Sequence, residues 1–348
     1  MTILFNKGRS NSGLVSVQQS SIIAILIMLL AISVLFAGAN GSFDLSLFAW
    51  LKGNSTDIQN IVMSEIRIPR VILSALVGSS LGMSGAALQG LFRNPLADPG
   101  LIGVSAGAAL GAAVIIVISP AALTESFLGP FLLPLAGISG SAAVICLLYL
   151  LTKGFGYQGV TYMLLVGIAV NAIAGVAIGL LTYISSDAEL RTLTFWTMGS
   201  FGGVTWRLLM PAVILILSAM IYMAPVYRKL DLLQLGEIEA SRLGVDLGKL
   251  KFRVIISSAA AVGASVALSG MIGFVGLVIP HLTRLLGGVN HNYLIPGSAI
   301  LGAAIMVCAD LASRILIQPA ELPVGLITSA IGSPFFLWLI FRINKNDY

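Results

Sequence analysis

Apolar runs of membrane-crossing length recur along the whole chain, separated by short polar breaks. A helix needs about 20 residues to cross the hydrocarbon core, and its backbone must satisfy its own hydrogen bonds there. Ten such runs are read: about 20–39, from after the Ile66–Arg70 stretch to 91, 101–118, 131–152, 160–184, 207–226, 254–270, 272–286, 294–316 and 323–342. Only 9% of the 348 residues are charged and 57% are hydrophobic, against about 25% charged in a soluble domain. The chain therefore reads as an all-α polytopic membrane protein, a single transmembrane domain over 1–348 with a polar tail at 1–18. A soluble globular fold, a disordered chain and a large extramembrane domain are excluded. The net charge of +5 comes from bases scattered between apolar runs, which speaks against a nucleic-acid partner.

The breaks have local causes. Pro69 suits a helix start, where its missing N–H would be unpaired anyway. Pro95, Pro99 and Gly100 end the second run, and Gly270 and Gly273 separate the seventh from the eighth only weakly. An amphipathic piece is expected around Leu45–Leu51, and a short helix near Thr194–Phe201 after the polar Ser185–Arg191 segment. Residues 22–37 are long for a cleaved leader and more runs follow, so they are read as the first span.

Charge sets the orientation. With alternating crossings, thirteen of the 19 lysines and arginines fall on the side of the N-terminus. The other side receives Lys52, Arg67, Arg70, Arg191, Arg207 and Arg314. Positive charge concentrates on the cytoplasmic side, so both termini are placed inside.

Ionisable groups are nearly absent from mid-span, where ion-coupled carriers keep their relays. Asp310 and Arg314 lie one turn apart and are expected to pair. Gly244–Leu250 is one residue short of a phosphate loop, and Leu250 stands where a hydroxyl would hold magnesium. His281 and His291 form no zinc motif, and Cys146 and Cys308 read as small buried hydrophobes; no metal site is expected. An energy source would then lie outside this chain. The rivals are an ion-coupled carrier acting alone and an intramembrane enzyme, the second lacking a visible catalytic set.

Small residues at four-residue spacing, Gly103–Gly107–Gly111 and Gly167–Asn171–Gly175–Gly179, predict close helix packing. The second row carries Asn171, a candidate for a translocation path. Val77-Gly78-x-Ser80-x3-Ser84-Gly85 is matched by Val262-Gly263-x-Ser265-x3-Ser269-Gly270, five runs later, as an inverted-topology repeat would require. The polar segment 230–247 reads as two short helices hinged at Gly236 and ended at Gly244. Such a helix could lie on the bilayer or dock in a partner's groove.

Four stretches resemble the membrane permeases of bacterial type II ABC importers for iron complexes and cobalamin. They are IRIPRVILSALVGSSLGMSGAALQGLFRNPLADPGLIGVSAGAALG (66–111), LDLLQLGEIEASRLGV (230–245), SGMIGFVGLVIPHLTRLLGG (269–288) and ELPVGLITSAIGSPFFLWL (321–339). The resemblance implies ten transmembrane helices with both termini inside, and a homodimer with the path on its two-fold axis. It also implies two separate ATPase subunits that hold ATP and magnesium, a periplasmic binding protein, and the bacterial inner membrane as location.

Residue roles follow from the same resemblance. Arg67, Arg70 and Arg314 would meet carboxylates of the binding protein, in the bidentate manner open to arginine. The alternatives are headgroup anchoring for the first two and the local Asp310 pair for the third. Gly236, Glu237, Glu239, Arg242, Leu243 and Gly244 match the segment that couples to the ATPase. Asn94 and Leu96 match one cytoplasmic gate, Val160 and Thr161 a second. LTYISSDAELRTLTFWTMGSFG (181–202) is similar to haem permeases above all, so haem is the expected cargo, with ferric siderophore or cobalamin as alternatives. No permanently bound cofactor is expected. Met163 and Met198 are read as core-packing residues, with ligation of iron by their soft sulfur as the alternative.

Overall fold

The computed structural model describes residues 16–41, 50, 52–120, 126–152 and 159–346; the Leu45–Leu51 piece lies almost wholly outside them. The described residues form helices and no strand. They are α1 (Val17–Ala39), α2 (Asp57–Phe92), α3 (Val104–Ile118), α4 (Gly129–Thr152), α5 (Gly159–Ile184), α6 (Asp187–Met198), α7 (Trp206–Met223), α8 (Tyr227–Leu233), α9 (Glu237–Arg242), α10 (Leu247–Ser269), α11 (Val275–Gly287), α12 (His291–Ile315) and α13 (Val324–Asn346). Seven of these are long and apolar enough to cross a membrane, and α3, α11 and α13 are shorter apolar helices. Every apolar run expected above is a helix.

Three boundaries differ from expectation. The second helix starts at Asp57, capped by Thr56, whose side chain and that of Gln59 form a capping box. It then passes through a π-helical segment, Val62–Arg67, before the α-helix resumes at Ile68. Pro69 is thus inside a continuous helix. Its missing N–H leaves the Ser64 carbonyl free, and the Trp206 indole N–H donates to that carbonyl at 2.8 Å. Residues 187–191 belong to α6, because Ser186 and Glu189 cap it. α10 begins at Leu247, earlier than its apolar run, because the Asp246 side chain accepts the Lys249 N–H.

α2, α10 and α12 form the centre. Between 72% and 78% of their apolar windows is buried, against 17% for α1. Small residues permit this: at Gly78 and Gly302 the α2 and α12 backbones touch, and at Gly107 and Gly140 those of α3 and α4 do. The Gly103–Gly111 row therefore packs as expected. The α5 row divides. Gly167 lies on Leu101 and Ile102, while Gly175 and Gly179 have open space beside them. The repeat positions Ser80 and Ser265 meet, with their hydroxyls 2.6 Å apart where α2 crosses α10. Cys146 and Cys308 are exposed on the flanks, because an apolar run in a bundle of this kind has an outer face as well as a core face.

Non-helical backbone is held inside the protein. Gly270 (φ 69°) ends α10 against the Trp196 carbonyl. Nearby, the Ser200 N–H donates to the Ser269 carbonyl at 2.7 Å and the Val324 N–H to that of Gly199 at 3.0 Å. Irregular backbone at membrane depth requires this kind of internal satisfaction.

Gly302→Ala places a methyl on the Gly78 carbonyl and is expected to destabilise the chain by about 1–3 kcal/mol. Gly175→Ala meets nothing and is expected to be neutral or slightly stabilising. Thermal unfolding of both full-length variants in detergent checks the contrast.

Candidate functional sites at the two ends of the bundle

One end gathers the three expected arginines. They come from α2 and α12, whose close crossing brings residue 70 beside residue 310. Arg70 Nε donates to Asp310 Oδ1 at 2.8 Å, and its Nη1 to Glu321 at 2.9 and 3.0 Å. Arg314 Nε stands 3.3 Å from Asp310 Oδ2, so the expected local pair is present. Arg67 Nη1 donates to the Gly38 carbonyl at 2.8 Å, and Arg314 to the carbonyls of Asn40 and Ala37 at 3.2 and 3.3 Å. Two guanidiniums thus hold the C-terminal carbonyls of α1, where the helix dipole favours positive charge.

All three arginines are buried, at 4–6% exposure, and Asp310 is fully buried. Their side chains turn inward to carboxylates and carbonyls of their own chain. The outward part of the cluster is Glu321, whose side chain is 41% exposed. Nothing in the sequence near Arg70 pointed to Glu321, which lies 251 residues on.

The opposite end carries the expected hinge. α8 is fixed to the bundle: Asp231 accepts from the His291 N–H at 3.0 Å, and Gln234 Nε2 donates to the Gly90 carbonyl at 3.0 Å. Gly236 (φ 110°) and Gly244 (φ 86°) bracket α9 in backbone conformations that favour glycine. Of the expected contact residues, Glu239, Arg242 and Leu243 are exposed, the first two as a 2.7 Å pair. Glu237 is different: it turns inward to Lys251 at 3.1 Å, both side chains nearly buried. Leu235 and Ile238 are exposed at 63% and 60% beside Leu243 at 58%. They complete an apolar ridge, and their spacing along the segment was the signal available for them.

The Gly244–Leu250 segment is a helix start, with Asp246 as its cap. Hydrogen bonds from Lys249 hold the Asp246 carboxyl below its ordinary range. Asn94 and Leu96 lie in the exposed turn after α2, where the Leu96 N–H donates to Asn94 Oδ1 at 2.9 Å. Val160 and Thr161 fall in the first turn of α5, and their side chains lie outside the described residues. In the segment that follows α2, burial pushes the Asp98 carboxyl up from its ordinary range, while its Oδ1 accepts the Gly100 N–H at 2.7 Å. Asn171 donates to the Gly100 carbonyl at 3.1 Å, fastening α5 to the turn before α3. Met163 packs against the core.

The sequence profile of the FecCD transport family matches residues 23–342. The chain belongs to this family. It is 44% identical over 331 residues to the hemin transport system permease protein HmuU of Yersinia pestis, covering 94% of this chain and 97% of the relative. It is 38% identical over 281 residues to the vitamin B12 import system permease protein BtuC of Vibrio parahaemolyticus, covering 81% and 83%. Among solved structures it is similar to an inward-facing metal-chelate type ABC transporter. That likeness has a TM-score of 0.81 at 33% identity and covers 93% of this chain and 99% of the other.

In this FecCD permease Asp310 stands between two buried guanidiniums, so losing its charge is costly. Asp310→Asn leaves Arg70 and Arg314 facing a neutral amide, with an expected loss of about 3–5 kcal/mol. Glu321→Gln, at a half-exposed partner, is expected to cost under about 1 kcal/mol. Unfolding of the two variants side by side checks the order; equal losses would refute a buried ion network.

Proposed function

We propose that this chain is the membrane permease subunit of an ATP-binding-cassette importer that moves haem from a periplasmic binding protein into the cytoplasm. The 44% identity to a hemin permease over almost the full length of both chains carries the reading of the cargo. Cobalamin is the second reading, favoured by the vitamin B12 permeases among the relatives.

In this reading the ten apolar helices all cross the bacterial inner membrane, with both termini in the cytoplasm. The permease works as a homodimer above two ATPase subunits, which bind ATP and magnesium. The α9 end is cytoplasmic. Its apolar ridge, flanked by Glu239 and Arg242, suits a groove in the ATPase, since exposed apolar surface outside the bilayer marks a contact site. Gly236 and Gly244 give the ridge its two bends. The arginine end is periplasmic. Arg67, Arg70 and Arg314 organise the docking surface from beneath, and Glu321 is the exposed carboxylate paired with Arg70. The gate comprises Asn94 and Leu96 with Val160 and Thr161. The α5 face that carries Asn171 and continues as Gly175 and Gly179 is the candidate wall of the path. ATP binding by the partner shifts the dimer between outward- and inward-open states through the differential contacts it makes with each.

Uptake into proteoliposomes tests this. The full-length permease and its ATPase are reconstituted, with ATP inside and loaded binding protein outside. ATP-dependent accumulation of haem without cobalamin is expected. Cobalamin alone moving would transfer the cargo to the second reading, and ATP-independent uptake would refute the importer. Ile238→Asp places a charge on the ridge and is expected to reduce copurification of the ATPase and uptake by at least about tenfold, the effect of an unpaired charge in an apolar contact. Glu237→Gln, which faces Lys251, is expected to retain the ATPase.

A further inference from the structure

At the α9 end a cleft of about 610 Å3 opens between the C-terminus of α2, α8, the last turns of α11 and the start of α12. Its charges are unbalanced. Arg284 of α11 and Arg93, just after α2, both line it, and neither is among the ion pairs of the described residues. Among the described residues, Arg284 Nη1 is buried with no hydrogen-bond partner. The acid on the wall is already engaged: Asp231 Oδ1 accepts from the His291 N–H and lies 2.6 Å from His291 Nδ1. Asp231 therefore answers the start of α12, not the guanidiniums.

A buried donor without an acceptor is costly, and native structures rarely leave one unfilled. A guanidinium is a planar fork of donors shaped for oxyanions. Arg93 strengthens the case. It holds a left-handed backbone (φ 49°), uncommon for a residue with a side chain. It is the exposed member of the pair, free to close over a ligand that Arg284 already holds. The rim is apolar: Val289 is 73% exposed, and Leu285 and Leu286 on the adjoining turn are 55% and 50% exposed. A charged pocket beside bare apolar surface, at the ends of several spanning helices, has the amphipathic form of a phospholipid.

We propose that this cleft is an oxyanion site for a phosphate group, supplied by an anionic phospholipid headgroup of the adjoining leaflet or by free phosphate, with Arg284 as the fixed donor and Arg93 as the closing one. The inference rests on the chain spanning a membrane and is independent of its cargo. An occupant here would lie against α8 and the turn carrying Asn94, and so beside both the coupling segment and the gate.

The test uses the full-length permease, delipidated in detergent. Native mass spectrometry follows phosphatidylglycerol against phosphatidylcholine, and calorimetry follows inorganic phosphate. One saturable phosphatidylglycerol is expected. Binding should weaken about tenfold in Arg93→Gln and about a hundredfold in Arg93→Gln/Arg284→Gln, near one charge-assisted hydrogen bond for each guanidinium. Lys249→Gln removes an equal charge from the exposed Asp246 pair and should change nothing. Phosphate binding with the same variant profile, and no lipid bound, supports the oxyanion site with free phosphate as its source. A wild-type chain that binds neither probe overturns the proposal. So does an Arg93→Gln chain that binds as wild type does, since that surface change leaves the fold intact.

Discussion

Inside a bilayer no hydrophobic effect presses one apolar helix on another, so association depends on how closely two backbones can approach. In this chain the decisive approach is that of α2 to α12, where Gly78 and Gly302 remove the side chains that would keep them apart. Gly82 on Ser298 continues that contact, and Gly85 on Gly276 brings α11 against α2. The Ser80–Ser265 pair then sets α10 on another side of the same helix. With α2, α10 and α12 enclosed, an outer helix needs only one packed face, which is why α1 can be mostly exposed and still part of the bundle.

That central packing also joins the two ends. α2 spans 36 residues, about 54 Å at 1.5 Å per residue. It carries Arg67 and Arg70 near one end. Near the other it offers the Gly90 carbonyl to Gln234 of α8. A shift of α2 at the arginine cluster would therefore be felt at α8, beside the Gly236 turn. The π-helical segment, stabilised by Trp206, adjusts the rotation of the helix where the arginines begin. Trp206 opens α7, so that adjustment is tied to a second element.

The apolar runs were legible as helices because membrane-crossing length and apolarity leave a chain little other choice. The hinge at Gly236 and the helix end at Gly244 were equally legible, since both glycines hold backbone conformations that side chains resist. The local Asp310–Arg314 pair followed from one helical turn of spacing. What escaped was what other helices supply. Pro69 read as a helix start, because the indole that accommodates it in mid-helix is 137 positions away. Glu237 read as a partner contact, whereas Lys251 of α10 draws it inward. The two cysteines read as buried, because an apolar run does not say which face it turns to the core.

By itself, then, the sequence determined that this protein is a bundle of apolar helices with its chemistry at the ends, and its long motifs identified the transport family. Both follow from local composition and spacing, which act over a turn or a run. The tertiary structure decided which charges meet. Arg70 found Asp310 and Glu321, and Arg284 found no carboxylate among the described residues, because helix crossings far apart in the chain place these groups. Pairing between side chains more than two hundred residues apart is a property of packing, and no local pattern encodes it.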